Sequence, residues 1–240
     1  MARFFVGEIL GDNYVLKGDD ARHAIKSLRM KVNEEVTLCS KDGMEYLCKI
    51  EKIENQQAFL KVVSKSLSLS EPKTKVCLYQ AMPKSDKFDL IVQKSVELGV
   101  DSIVPVMTSR CISRPDHKSL NKKIDRLNKI SKEAAKQSRR GKIPKVFDMI
   151  NLNDIKDHVN RFDKFIVFYE NGGEKLRNLI DIGSKNVAVL VGPEGGFSKE
   201  EIKFLKEIGV VVATLGPRIL RTETAPLMAL SIIMELTGNI

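Results

Sequence analysis

The sequence predicts a small N-terminal β domain followed by a larger α/β domain with a parallel sheet. Two observations carry this prediction. Short alternating apolar segments separated by turn residues fill about the first 65 residues, and apolar strands alternate with amphipathic helices from residue 74 onward. A serine-rich stretch ending in proline, residues 64–73, separates the two patterns and predicts a linker. We therefore place the domains at residues 1–70 and 71–240.

In the first domain, the strands are expected to be short and closely spaced. A helix over residues 19–28 interrupts them, and turn residues such as Gly11 and Asn55 separate the others. Several short strands at this spacing are typical of a small barrel. The predicted strands are residues 3–6, 14–16, 35–39, 45–53 and 58–63.

In the second domain, helix signals stand between nearly continuous apolar strands. Gly99 ends one helix, Ser198 and Glu201 form a capping box, and Pro226 occupies a first helical turn. Apolar strands of this kind predict a parallel sheet covered on both faces. The predicted strands are 76–81, 103–107, 165–169, 187–191 and 210–215, and the predicted helices are 86–98, 174–180, 198–208 and 225–236.

The positive charge is concentrated in one segment. The chain carries 40 basic and 31 acidic residues, and 13 of the basic but only 3 of the acidic residues lie between positions 110 and 145. Leu120, Ile124 and Leu127 recur there at helical spacing, and Gly141 ends the helix. A polyanion such as RNA is the expected partner, and a solvated lysine-rich face is the alternative. Arg110, Arg114, Arg139 and Arg140 are the candidate contacts, the last two at an exposed helix end.

Several classes of protein are disfavoured. No apolar run reaches the length of a membrane span, and the first residues lack the apolar core of a secretion signal. The four cysteines, Cys39, Cys48, Cys77 and Cys111, fit no zinc or redox spacing. We expect a cytoplasmic protein with reduced thiols and neither a metal nor a membrane partner.

Two glycine-rich segments directly follow predicted strands. They are Val191–Ser198, with the sequence VGPEGGFS, and Leu215–Pro226, with the sequence LGPRILRTETAP. Ligands bind at this end of open α/β sheets. Neither segment matches a dinucleotide fingerprint or a phosphate-binding loop. From the residues alone, a ligand site and plain tight turns both remain open.

These two segments resemble signature segments of SPOUT methyltransferases. The segments Met82–Asp89 (MPKSDKFD) and Val96–Asp101 (VELGVD) resemble a third signature, and with the opening MARFF and the small β domain the chain resembles the RsmE family. The resemblance implies a PUA-like β-barrel before a SPOUT α/β domain with a deep trefoil knot. It also implies a homodimer that methylates N3 of a uridine in 16S ribosomal RNA.

The resemblance further implies S-adenosylmethionine (SAM) as methyl donor, leaving S-adenosylhomocysteine. Its pocket would use main-chain groups and shape from three loops, although core packing is an alternative for Ile219 and Leu220. The implied cofactor residues are Phe168, Tyr169, Leu190, Gly192, Gly195, Gly196, Leu215, Gly216, Ile219, Leu220 and Ala225.

Arg221 and Glu223, in the last of these loops, are our hypothesis for the catalytic residues. Arg221 would stabilise charge on the uracil oxygens, and Glu223 would orient it or accept the N3 proton. A structural Arg–Glu pair is the competing interpretation, and Glu194 is a weaker base candidate. On the first domain, the candidate RNA contacts are Arg3, Arg22, Lys26 and Arg29. The alternative functions are a SPOUT methyltransferase acting on transfer RNA or a ribose hydroxyl, and a non-catalytic ribosome assembly factor.

Overall fold

The computed structural model describes residues 1–41 and 43–240. The chain forms two compact units. The first contains Met1–Glu71 and a later segment, Ala135–Ile143, and the second contains Pro72–Ala134 and Pro144–Ile240. The sequence predicts residues 135–143 within the second domain, and this prediction is wrong because the segment belongs to the first unit.

The first unit is built on a five-stranded sheet with the order β1-β3-β4-β5-β2. The β1–β3 pair is parallel and the other pairs are antiparallel. Phe4, Leu38 and Leu60 are wholly or almost wholly buried in its core. Its elements are β1 (Ala2–Phe5), β2 (Asn13–Leu16), α1 (Gly18–Arg22) with a π-helical turn at His23–Ser27, β3 (Glu35–Cys39), β4 (Met44–Glu54) and β5 (Gln57–Leu67).

The start of the predicted linker is a strand. β5 continues to Leu67, where it pairs with Met44 of β4. The serine- and lysine-rich composition of residues 64–67 favours a loop, but pairing along the whole of β4 satisfies their main-chain hydrogen bonds. Cross-strand pairing therefore outweighs composition at this point.

The returning segment 135–143 is attached to the first unit by a buried ion pair. The basic helix ends at Gln137, and Arg139 has a positive φ of 58°. The amide of Arg140 donates to the carbonyl of Ala135 at 2.9 Å, the six-to-one bond of a Schellman motif. Beyond this turn, Arg140 Nε and Nη2 each lie 2.9 Å from a carboxylate oxygen of Glu71. The prediction that Arg140 is exposed is therefore wrong, because it is 3% exposed.

The second unit is an α/β unit whose paired strands are all parallel. Its strand order is β11-β13-β10-β12-β6-β7-β8, with β9 pairing to β7. Its strands are β6 (Lys75–Ala81), β7 (Ser102–Met107), β8 (Lys145–Val146), β9 (Ile150–Asn151), β10 (Lys164–Phe168), β11 (Glu174–Lys175), β12 (Asn186–Val191) and β13 (Val211–Thr214). The helices are α2 (Lys87–Glu97), α3 (His117–Gln137), α4 (Lys199–Glu207) and α5 (Ala225–Leu236), with 3-10 turns at Leu152–Asp157, Val159–Arg161 and Leu176–Asn178. The last three residues of α3 are counted with the first unit.

One predicted helix of the second unit is wrong. Residues 174–180 form the short strand β11 followed by a 3-10 turn. Gly173, with a φ of 146°, lies so close to β13 that an added Cβ would be 2.7 Å from the carbonyl oxygen of Val212. This close approach places Glu174 and Lys175 beside β13, where strand pairing replaces helical bonds. The capping box of α4 is confirmed, with Glu201 N donating to Ser198 Oγ at 3.1 Å.

Candidate cofactor cleft

A cleft of about 520 Å³ opens at the carboxyl ends of β10, β12 and β13. Small-molecule sites commonly enclose roughly 300–1,000 Å³. Three loops line the cleft, and we name them loop A (Tyr169 and Glu170), loop B (Gly192–Phe197) and loop C (Leu215–Thr224). Lys87 of α2 and Ala225 of α5 also line it. The two glycine-rich segments therefore meet at one site, as expected where parallel strands end.

Glycine is favoured in loop B because its main chain closely approaches Glu170 of loop A and Phe197 of loop B itself. Gly196 has a φ of 62°, and an added Cβ would lie 2.9 Å from Oε1 of Glu170. An added Cβ on Gly192 would lie 3.0 Å from the ring of Phe197. Side chains at either position would crowd the cleft, so the main chain of loop B is left bare toward a ligand.

Ten of the eleven predicted cofactor residues line the cleft. The exception is Leu190, which is wholly buried in the core, while its neighbour Val191 lines the cleft. Ile219 lines the cleft and is 84% exposed, so the core-packing alternative is wrong for it. Those that line the cleft are Phe168, Tyr169, Gly192, Gly195, Gly196, Leu215, Gly216, Ile219, Leu220 and Ala225.

The two catalytic candidates do not pair with each other. Arg221 is exposed and lines the cleft, and it makes no ion pair with any residue that the structure describes. Glu223 Oε2 lies 3.1 Å from Nζ of Lys87, and Glu194 Oε1 lies 3.1 Å from the same nitrogen. The structural Arg–Glu pair considered from the sequence is therefore absent, and a Glu–Lys–Glu cluster stands in its place.

Lys87 is a site residue that the sequence analysis missed. It lies in the segment Met82–Asp89, which resembles a family signature but in which no residue type by itself indicates a role. α2 begins at Lys87, so its side chain leaves the first helical turn at the edge of the cleft. The available sequence signal for Lys87 was that it is a basic residue within a signature segment. Nothing in the sequence indicates that Lys87 pairs with two distant glutamates.

The cluster favours the charged forms of Lys87 and Glu194. Hydrogen bonds to Glu223 and Glu194 raise the pKa of the Lys87 ammonium. Burial disfavours ionisation of Glu194, but hydrogen bonds from its own amide, from Lys87 and from the amide of Lys84 outweigh it and hold its pKa below the ordinary value. The cluster thus places one ammonium and at least one carboxylate at the edge of the cleft.

A buried hydrogen-bond relay lies directly behind loops B and C. Nε2 of Gln80 is 3.1 Å from Oγ1 of Thr222, and Oγ1 of Thr222 donates to the carbonyl of Gly192 at 2.8 Å. Gln80 is the penultimate residue of β6 and is 0% exposed. The relay joins one strand to both glycine-rich loops.

Two of the predicted RNA contacts also bond to nearby main chain. Nη1 of Arg110 donates to the carbonyl of Gly195 at 2.9 Å, and Arg114 Nη2 donates to the carbonyl of Ser109 at 3.0 Å. The segment after β7 therefore packs against loop B. The exposed cations of α3 are Lys118, Lys122, Arg126 and Lys129, and Arg126 also pairs with Asp86 and Asp89.

The candidate RNA contacts of the first unit differ in exposure. Arg22, Lys26, Arg29 and the later Arg139 are exposed. Arg3 is not, because its side chain is 13% exposed and its Nη1 lies 2.6 Å from Oε1 of Glu45. Arg3 and Arg140 are therefore largely buried with partners that occupy their guanidinium groups, so the expectation of RNA contact through them loses its support. Arg22 pairs with Asp19 at the surface and stays exposed.

Two structural features are absent from residues 1–41 and 43–240, the part of the chain that the structure describes. No helix there combines the length and apolar character needed to cross a membrane. No group of three or more histidine, cysteine or acidic side chains there is arranged to hold a metal ion. The four cysteines are buried and unbridged.

Comparison with known families identifies the chain. The RNA methyltransferase domain family matches residues 70–234, and the RNA methyltransferase PUA domain family matches residues 16–63. The chain belongs to the RNA methyltransferase family. The first match contains all three loops of the cleft, and the second lies within the five-stranded sheet, so the PUA-like and α/β parts of the predicted fold class are confirmed.

Relatives in this RNA methyltransferase family align over almost the whole chain. Ribosomal RNA small subunit methyltransferase E of Bacillus subtilis is 34% identical over 228 residues, covering 92% of this chain and 89% of the relative. The enzyme of that name from Neisseria gonorrhoeae, crystallised with S-adenosyl methionine, is 32% identical with a TM-score of 0.86 over 98% of both chains. A Legionella pneumophila methyltransferase with bound SAM is 30% identical, with a TM-score of 0.85 over 98% of this chain and 97% of the other.

Proposed function

We propose that this chain transfers a methyl group from SAM to N3 of a uridine in the RNA of the small ribosomal subunit. The observation that carries the proposal is the cleft formed by three loops at the carboxyl ends of adjacent parallel strands. Relatives with the same fold over nearly the whole chain are named as small-subunit methyltransferases, and two solved neighbours hold SAM. The uridine and its N3 atom rest on the family resemblance.

The cleft fits SAM in its size and in its chemistry. Loop B offers a main chain cleared by Gly192 and Gly196, and Phe168 and Leu215 supply apolar wall. An adenine ring needs such flat apolar contacts together with main-chain donors and acceptors. When bound, SAM supplies a methyl group on a positively charged sulfur, which makes that methyl electrophilic.

The chain itself must make uracil N3 nucleophilic. N3 carries a proton at neutral pH, so the site has to stabilise the anion or accept the proton. Arg221, exposed in the cleft, would stabilise negative charge on a uracil oxygen. Glu223 is the proposed proton acceptor, and its ion pair with Lys87 orients it independently of Arg221.

Binding of RNA is assigned to the exposed basic surfaces. The cations of α3, together with Arg110, Arg114 and Arg139, and those of the first unit, Arg22, Lys26 and Arg29, would contact phosphates and release counterions. A paired uridine cannot reach the cleft, so the target must be unpaired or flipped out.

The homodimer, the trefoil knot, the division at residue 70 and the cytoplasmic location stay predictions. Half-buried apolar residues on α5, among them Leu227 and Met228, favour the dimer.

A methyl-transfer assay tests the proposal. Labelled SAM is incubated with unmodified small-subunit RNA, with intact small subunits and with bulk transfer RNA, and the modified nucleoside is identified by mass spectrometry. We expect 3-methyluridine in the small-subunit RNA or the small subunits. Label in transfer RNA or on a ribose would show that the proposed substrate or target atom is wrong. SAM binding without any transfer would favour a ribosome assembly factor.

A second experiment tests Glu223 as the base. The single-turnover rates of wild type and Glu223→Gln are compared between about pH 6 and 9. If Glu223 accepts the proton, the variant is slower at neutral pH and recovers toward alkaline pH, where the uracil ionises by itself. An unchanged rate across this range would exclude Glu223 as the base.

A further inference from the structure

The relay of Gln80, Thr222 and Gly192 has only one possible direction. A hydroxyl has a single hydrogen, and Thr222 donates it to the carbonyl of Gly192, which can only accept. Thr222 Oγ1 must therefore accept from the amide nitrogen of Gln80, 3.1 Å away. The Gln80 amide is oriented by this requirement, and its nitrogen also donates to the carbonyl of Ala81.

This orientation leaves Oε1 of Gln80 buried and without a hydrogen-bond partner among the described residues. An unpaired buried carbonyl oxygen destabilises a fold, and a methionine of similar length would avoid that cost. Gln80 stands in a strand whose other central residues, such as Leu78 and Tyr79, are apolar and buried. The amide therefore serves the hydroxyl of Thr222 rather than the stability of the sheet.

Thr222 stands between the two proposed catalytic residues. It is 5% exposed, whereas Arg221 is exposed in the cleft and Glu223 reaches Lys87 at the edge of the cleft. The relay holds the side chain of Thr222 inward, and Arg221 and Glu223 are its immediate neighbours in the turn between β13 and α5. The conformation of loop C at Arg221 and Glu223 thus depends on a hydrogen bond from β6.

We propose that Gln80 and Thr222 are positioning residues that set Arg221 and Glu223 for methyl transfer. The inference rests on the proposed function, since it assigns roles within the same cleft. Gln80 acts through the Thr222 hydroxyl and touches neither cofactor nor RNA. Its effect is therefore expected in the rate of the chemical step more than in the affinity for SAM.

Three variants test the relay. Thr222→Val keeps the shape and removes the hydroxyl, Thr222→Ser keeps the hydroxyl, and Gln80→Met removes the amide. We expect Thr222→Val and Gln80→Met to slow single-turnover transfer on the order of 10- to 100-fold, as small misplacements of catalytic groups do. Thr222→Ser should stay within about 3-fold of wild type, and SAM affinity, measured by calorimetry, should change less than the rate in every variant.

The double variant Gln80→Met/Thr222→Val supplies the decisive comparison. If the two residues act as one relay, it is no slower than the slower single variant, because the second change removes nothing further. Multiplication of the two single effects would overturn the relay. A serine variant as slow as the valine variant would also overturn it, because the hydroxyl would not be the operative group.

Amide hydrogen exchange gives a readout that does not depend on catalysis. The amides of Thr224 and Ala225 donate to the carbonyl of Arg221 at 2.9 and 3.0 Å. We expect faster exchange of these two amides in Thr222→Val and Gln80→Met than in wild type and Thr222→Ser. Unchanged exchange would refute the relay. If wild type methylates no RNA, the proposed function fails, and the exchange data still decide whether Gln80 and Thr222 order loop C.

Discussion

Lys87 Nζ lies 3.1 Å from Oε2 of Glu223, so the glutamate of loop C is paired with the first residue of α2 and not with Arg221, two positions away. The same ammonium lies 3.1 Å from Oε1 of Glu194 in loop B. One lysine therefore joins two cleft loops that follow different strands. Arg221 is left available to a substrate.

Removing the ammonium group of Lys87 should make loops B and C less ordered. We predict that Lys87→Met lowers kcat/KM for methyl transfer about 10- to 100-fold, because Glu194 and Glu223 lose their shared partner and repel each other. The control is Lys84→Met, which removes the same charge from an exposed side chain three residues away. Steady-state kinetics check the prediction. Equal losses in both variants would mean that only net charge matters.

A methyl group at Gly196 should block the cleft. Its Cβ would lie 2.9 Å from Oε1 of Glu170, and its φ of 62° disfavours any side chain. We predict that Gly196→Ala weakens SAM binding at least about 10-fold, measured by calorimetry. Gly18→Ala is the matched control, because Gly18 has a φ of 61° and no atoms near an added Cβ. It should lose stability and keep its SAM affinity.

Neighbouring arginines at the end of α3 should behave differently. Arg140→Ala removes one partner of a buried ion pair and should lower the free energy of unfolding of the first unit by about 3–5 kcal/mol. Arg139→Gln removes an exposed charge and should lower RNA affinity with little effect on stability. Denaturant unfolding and RNA titration at two salt concentrations separate the two effects. A stable Arg140→Ala protein with weaker RNA binding would reverse the assignment.

The Glu71–Arg140 pair predicts a dependence of stability on acid. Burial disfavours the charged form of Glu71, but hydrogen bonds from Arg140 and the amides of Gly141 and Lys142 outweigh it and hold the pKa below its usual 4.5. A lowered pKa in the folded state stabilises the protein above the unfolded-state value, and this contribution is lost as pH falls through the folded-state value.

We therefore predict that, between about pH 6 and 3, the Tm of Glu71→Gln falls less than the Tm of wild type as the pH is lowered. Thermal unfolding measures both values. At neutral pH the variant is the less stable protein, and the two curves converge in acid. Parallel curves across this range would show that Glu71 does not titrate as the structure indicates. The control is Glu174→Gln, which removes an exposed carboxylate of the second unit.

Local sequence patterns correctly predicted the features that depend on residues close together in the chain. Ser198, Glu201 and Pro226 mark helix starts through bonds and backbone limits within one turn, and α4 and α5 begin there. The apolar runs before the two glycine-rich segments predicted β12 and β13, and parallel strand ends then bring both segments to one cleft. The family resemblance supplied the cofactor and the reaction, which periodicity alone does not contain.

Tertiary structure decided what depends on residues far apart in the chain. Nothing in the local sequence pairs Lys87 with Glu223, joins Gln80 to Thr222, or buries Arg140 against Glu71. Composition also misassigned residues 64–67 and 174–175, because main-chain pairing with β4 and β13 outweighs their local preferences. The sequence shows which residues are charged or polar. The partner that pairs with a buried charge or amide depends on the tertiary structure.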